Sequence, residues 1–198
     1  MTDRRAHPPA DPPRRTDARL NRARLVAAAR EVFAEAGPGA SLNEIARRAG
    51  VGPGTLYRHF PHRSDLLTAV LEDRIETLSA HARRLLAAED ADEALEQWLR
   101  AFLAHARVNQ GMGSALLMEP AGASGPDCHR RILDMAAGLL ARAQRHGTAR
   151  ADLTADDLLQ LVVGIALSTA HGDDRPGRPE LLLDLVLDAV HAPPRRRT

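Results

Sequence analysis

Lysine is absent from this chain: all 27 basic residues among its 198 are arginines. GC-rich coding accounts for that bias as readily as any need for guanidinium chemistry, so it carries no functional weight of its own. Aromatic residues make up only 3% of the chain against 44% hydrophobic residues overall, so the apolar surface comes from Leu, Ala, Val and Ile rather than from rings. That scarcity of rings and β-branched side chains argues against sheets. It favours helices, because Ala, Leu, Arg and Glu rank high in helix propensity. Cys128 is the only cysteine, which excludes an internal disulfide and suits a reducing compartment. No run approaches the roughly 18–20 apolar residues of a membrane-spanning helix, and the N-terminus has Arg and Pro but no apolar signal-peptide core. The expectation is a soluble, cytoplasmic protein with no membrane partner.

The usual marks of catalysis are missing as well. There is no HExxH, no GxGxxG after a strand, no GxxxxGK[ST], no GxSxG elbow and no paired cysteine for zinc. Asp188 and His191 have DxxH spacing, but a helical carboxylate metal site needs further carboxylates and a second such pair. An enzyme is not expected, nor a cofactor or a metal.

What is present is an uneven distribution of charge. The formal net charge is only +1, yet residues 1–63 hold 12 Arg against 6 acidic residues, while the remaining 135 hold 15 Arg against 20. A basic N-terminal third on an otherwise acidic chain points to a polyanion at that end, since positive surface beside phosphates gains from counterion release.

Pattern along the chain divides it into four parts. Residues 1–16 carry Pro8, Pro9, Pro12, Pro13 and four arginines with almost nothing to bury, and are predicted to be a disordered tail, as are residues 193–198. From Thr16 or Asp17, apolar residues recur at spacings of three and four (Leu25, Ala28, Ala29, Val32, Phe33), predicting a helix stopped by Gly37. Ser41 and Glu44 read as a capping box at the start of a second, short helix that ends at Gly50. Val51-Gly52 makes a turn, Pro53 suits a first helical position, and a very short third helix spans about 53–59. A long helix follows over about 62–88, then helices at about 91–108, 110–118, 127–146, 155–170 and 179–191, with Thr154 and Asp157 as another capping box. The expected fold is all-α with about nine helices: an N-terminal three-helix domain over 17–62 and a C-terminal helical bundle over 63–192.

Three helices packed by Leu25, Phe33, Ile45, Ala49, Val51, Leu56 and Phe60 make the second and third a helix-turn-helix. In that motif the third helix enters the major groove of DNA and the second lies across the backbone. Thr55, Tyr57, Arg58 and His59 supply donors on the third helix, and Gly54 permits close approach of backbone to DNA.

The run from Ser41 to Phe60 (SLNEIARRAGVGPGTLYRHF), followed by Arg63-Ser64-Asp65-Leu66-Leu67, resembles the DNA-binding signature of the TetR family. The likeness covers about residues 18–70. It implies a homodimeric transcription regulator that binds pseudo-palindromic double-stranded operator DNA and is released by a small-molecule effector. By position it implies phosphate contacts from Ser41, Tyr57, His59 and Arg63, and groove contacts from Pro53, Gly54 and Thr55, with Arg58 as a further groove candidate. Arg47 or Arg48, on the second helix, is a candidate for backbone or base-edge contact. Gly52 departs from the pattern, which often has Ser or Thr there. Glycine still serves as a cap, but one hydroxyl contact is lost.

The same resemblance places an effector cavity among the central helices, with Trp98, Phe102, His105, Met112, Leu116, Met118, Met135 and Leu139 as lining candidates. Ordinary core is the competing reading for each, and few aromatics argue against large flat effectors. The last two helices are the candidate dimer surface, through Leu158, Leu161, Val162, Ile165, Leu181, Leu182, Leu185, Val186 and Ala189, stripes too apolar to leave wet. A TetR-like activator and an effector-independent DNA-binding protein share the same reading head and stay open.

Overall fold

A computed structural model describes residues 13–117, 126–169 and 176–191. Its helices are α1 (Pro13–Ala36), α2 (Leu42–Arg48), α3 (Pro53–His59), α4 (Arg63–Leu86), α5 (Ala91–Leu117), α6 (Pro126–Arg145), α7 (Ala155–Ser168) and α8 (Arg178–His191). No strand occurs among the described residues, so the all-α expectation holds, with eight helices rather than nine. The difference lies in α5, which runs without interruption where a break was expected near residue 109. Asn109, Gly111 and Gly113 are weak helix formers, but unlike proline none removes a backbone donor, and the cost of about 1 kcal/mol per glycine is small beside a well-packed helix. The expected N-terminal tail also ends later than the structure allows. Residues 13–16 are already helical, because Pro13 occupies a first helical position and Arg14 and Arg15 are good helix formers. The rest of the two tails lies outside the described residues.

The chain divides into two compact units, Met1–Leu66 and Leu67–Thr198. In the first, α2 packs on both α1 and α3. Leu25, Ala29, Phe33, Ile45, Ala46, Leu56 and Phe60 are buried there, and Val51 is half-buried. Fully burying a Leu, Ile or Phe is worth about 1.5–3 kcal/mol, so these few side chains hold together α2 and α3, seven residues each, which would not persist alone. Gly37 ends α1 at φ +75°, donating its N–H to the Phe33 carbonyl at 3.0 Å. That left-handed conformation suits glycine and strains any other residue.

In the second unit α5 packs against α6, α7 and α8. Trp98, Leu99, Leu139, Leu158, Val162 and Leu183 form its centre, joined by Leu78, Ala82 and Leu85 of α4. Arg142 of α6 holds the chain where it leaves α4, donating from Nη1 to Leu85 O at 3.0 Å and from Nη2 to Ala88 O and Glu89 O just past the helix end. At the start of α7 the expected capping box is formed: the Asp157 N–H donates to Thr154 Oγ1 at 3.2 Å and the Thr154 N–H to Asp157 Oδ2 at 2.9 Å. No described helix is long and apolar enough to cross a membrane.

Candidate nucleic-acid interface

The reading head is set by two turns. Gly50, at φ +67°, lets the chain leave α2, and the Val51 N–H returns to the Ala46 carbonyl at 3.0 Å. Gly52 then caps α3, its carbonyl accepting from Thr55 N–H at 2.9 Å, with Pro53 in the first turn where its missing N–H costs nothing. On α3, Leu56 points into the core while Pro53, Gly54, Tyr57 and Arg58 are exposed and Thr55 and His59 are half-buried. Half of Tyr57 is accessible.

Gly54 is the informative residue of this face. A Cβ built there meets no atom within 4 Å, and its φ lies outside the left-handed range. The fold itself therefore does not require glycine at position 54.

The start of α2 differs from the expected capping box. Ser41 is the N-cap, but its side chain makes no cap hydrogen bond. Glu44 is engaged elsewhere, accepting from Arg47 Nε at 2.8 Å, Arg47 Nη2 at 2.7 Å and Arg48 Nε at 2.9 Å. Charge-assisted bonds of this kind are about twice as strong as neutral ones, so the arginines three and four residues on outcompete the backbone. These bonds, from Arg47 first and Arg48 second, hold the Glu44 carboxyl down at about 2. Arg48 also forks onto Glu35 of α1 at 2.9 and 2.7 Å. Neither arginine is an uncommitted cation: Glu35 and Glu44 balance the two charges, and Arg47 is the more exposed of the pair. The Ser41 hydroxyl remains exposed at the helix start, where an anion is favoured.

Arg63, expected as a phosphate contact, is half-buried, and its Nη1 donates to Pro38 O at 2.8 Å and Ala40 O at 2.7 Å. It clamps the α1–α2 loop, engaging two of the five N–H donors a guanidinium owns. One residue absent from the sequence-based candidates stands beside the face: Arg22 of α1, whose Cζ lies 5.2 Å over the ring of Phe60 at the end of α3. Its helical spacing from Val26 and Ala29 was the available signal.

In the second unit, the cavity candidates prove unequal. Trp98 and Phe102 are buried and stacked, with ring centroids 5.5 Å apart at 6° between planes, and His105 continues the stack at 6.2 Å from Phe102. Burial, then the nearby Arg74 charge, lowers the His105 pKa to about 4, so the imidazole is neutral at pH 7. The buried Trp98 Nε1 has no hydrogen-bond acceptor among the described residues. Leu139 is fully buried and Met135 half-buried against the same core. Met118 and the side chains of Met112 and Leu116 lie outside the described residues.

The dimer candidates separate into two sets. Leu158, Val162 and Ile165 are buried in the chain's own core, which removes them from the candidate surface. Leu161, Leu181, Leu185 and Ala189 are exposed, and Leu182 and Val186 are partly buried. Leu167, not among the sequence-based candidates, is also exposed and lies six residues, about 1.7 turns, along from Leu161, with Gly164 between them. The result is a pair of apolar rows, Leu161–Gly164–Leu167 on α7 and Leu181–Leu185–Ala189 on α8.

Two family models match different parts of the chain. Residues 25–70 match the family model described as bacterial regulatory proteins, tetR family. Residues 90–192 match the model described as transcriptional regulator SbtR-like, C-terminal domain. The TetR transcriptional regulator SCO0520 from Streptomyces coelicolor is 36% identical, with 86% of this chain aligned to 98% of that one at a TM-score of 0.74. A TetR transcription regulatory protein from Mycobacterium vanbaalenii is 37% identical, with coverage of 91% and 100% and a TM-score of 0.72. The HTH-type transcriptional regulator SAUSA300_2515 of Staphylococcus aureus is 39% identical over 72 residues, 36% of this chain. The chain spans about two fifths of the length of such curated relatives, 39%. With a C-terminal model matching over half of the residues and solved structures matched along almost their whole length, the chain belongs to the TetR family of DNA-binding transcriptional regulators.

Proposed function

We propose that this regulator is a homodimeric repressor that leaves its operator when a small molecule occupies the second unit. The observation that carries the dimer is the pair of exposed apolar rows on α7 and α8. Leu161, Leu167, Leu181 and Leu185 are each about half accessible or more, a patch that soluble monomers seldom leave wet. Two such helices from each copy make a four-helix interface with two-fold symmetry, which presents two α3 helices to a pseudo-palindrome.

The buried, unpartnered indole N–H of Trp98 supports an effector. An unsatisfied buried donor costs about 1–3 kcal/mol, a cost that a ligand bringing an acceptor removes. Neutral His105, stacked on the same aromatic column, adds a group able both to donate and to accept. Release is a shift between two dimer populations, and moving it from 1:99 to 99:1 requires a preference of about 5.5 kcal/mol for the form with low operator affinity.

A cell-free transcription assay tests the reading. The wild-type protein selects its operator from a random-sequence DNA pool, and that operator is placed across a promoter. Reduced transcript, with relief by compounds that raise the protein's melting temperature, supports the proposal. Increased transcript makes the protein an activator, and repression that no stabilising compound relieves removes the effector.

A further inference from the structure

The first turns of α1 carry a basic surface that the helix-turn-helix does not use. From Thr16 to Arg24 no side chain is buried, and Leu25 is the first residue to enter the core. At 1.5 Å per residue, the helix from Pro13 to Arg24 extends about 18 Å before reaching its own hydrophobic support. Within that stretch stand Arg14, Arg15, Arg19, Arg22 and Arg24 against the single acid Asp17.

Register gives the charges a direction. Arg19 and Arg22 lie three apart and in line with Val26, Ala29 and Phe33, positions that share one face of a helix. Val26, Ala29 and Phe33 are buried, so the row that packs into the first unit continues as arginine along the exposed part of α1. No acidic residue interrupts it. Arg24 lies about 160° round the helix from Arg22 and faces away. Independently, the guanidinium of Arg22 rests 5.2 Å over Phe60, which closes the C-terminal end of α3. The row thus comes alongside the helix that enters the groove.

We propose that Arg19 and Arg22 form a second DNA contact, gripping duplex phosphates beside the base pairs that α3 reads. The proposal rests on α3 being the DNA-reading element, and it extends the footprint beyond the helix-turn-helix. Arginine suits the task because its planar fork meets phosphate oxygens in bidentate fashion. A contact of this type adds affinity and salt dependence but no sequence preference.

The test is fluorescence anisotropy of full-length protein on a duplex that the wild type has selected from a random pool, across a range of sodium chloride concentrations. Each phosphate contact contributes about 0.9 to the slope of log affinity against log salt. Relative to wild type, the R19A/R22A dimer, which loses two contacts in each protomer, is expected to have a slope shallower by about 3.6, so that a fourfold rise in salt weakens it about 150-fold less. R24A, which removes one positive charge per protomer from the opposite face, as R19A does from the proposed row, is expected to keep the wild-type slope. Because Arg22 covers Phe60, R19A alone serves if the double variant fails to fold, with an expected loss of about 1.8, one contact in each protomer. A wild-type slope in R19A/R22A, or in R19A where that stands in, overturns the inference, as does an equal loss in R24A. A wild-type protein that binds no duplex overturns the DNA-reading role of α3 as well.

Discussion

Replacing Gly54 by alanine separates what the fold needs from what a partner needs. The added Cβ meets no atom within 4 Å and sits at a φ outside the left-handed range, in the first turn of α3. For the isolated protein the change only removes backbone freedom from the unfolded chain, which stabilises a helix by about 0.5–1 kcal/mol. At about 2–4 °C per kcal/mol for a chain of this size, the midpoint of thermal unfolding is expected to rise by about 1–4 °C. Against DNA the methyl group stands between α3 and the groove, and displacing a close backbone contact is comparable to one mismatched base pair, about 1–3 kcal/mol. Operator affinity is therefore expected to fall roughly 5- to 150-fold while stability rises. Circular dichroism melting and anisotropy titration on the same preparation read both quantities. A variant less stable than wild type, or one that binds the operator with unchanged affinity, refutes the reasoning that glycine at this position serves the partner.

Other expectations follow from the charge network and the second unit. Glu44→Gln leaves Arg47 with no carboxylate and Arg48 with Glu35 alone, so binding to random duplex is expected to tighten at low salt and its salt slope to steepen by up to about 0.9, measured by anisotropy. His105 has a folded pKa near 4, below the ordinary 6.5, so the unfolded chain binds more protons between those values. Stability is then lost as pH falls through this window, by about 2 kcal/mol at pH 5 relative to pH 7. Urea unfolding at both pH values should show this loss shrinking in His105→Gln, and an undiminished loss places its origin elsewhere. Leu161→Asp/Leu185→Asp puts charge on the exposed rows of α7 and α8 without entering the core, so sedimentation should show a folded monomer with weakened operator binding. A variant that stays dimeric moves the interface elsewhere.

How far the sequence foretold these features depends on the range of the interaction behind each. The helix-turn-helix was legible because its punctuation is local: Gly37, Gly50 and Pro53 each enforce a turn through their own backbone. Ser41–Glu44 and Thr154–Asp157 look alike as capping boxes, yet only the second forms. The difference lies in the neighbours, because Arg47 and Arg48 draw Glu44 away, whereas no arginine follows Asp157 at that spacing. The bonds of Arg63 to the carbonyls of Pro38 and Ala40 were not legible because those partners lie 25 and 23 residues away in the chain. Helix α7 is apolar on nearly every side, so periodicity alone did not separate Leu158, Val162 and Ile165, which the chain buries itself, from Leu161 and Leu167, which it leaves exposed. The run through Gly111 and Gly113 shows a complementary limit, since glycine weakens a helix without ending it.

The central claim, that the exposed face of α3 reads a specific DNA sequence, is tested most directly by one comparison. Wild-type protein is titrated against the duplex it selects from a random pool and against a scrambled duplex of the same length and composition, at one near-physiological salt concentration. The account predicts binding to the selected duplex at least about 10³-fold tighter, the lower bound for specific over non-specific recognition. Equal affinity for the two duplexes would contradict it, leaving α3 as a surface that holds phosphates without reading bases.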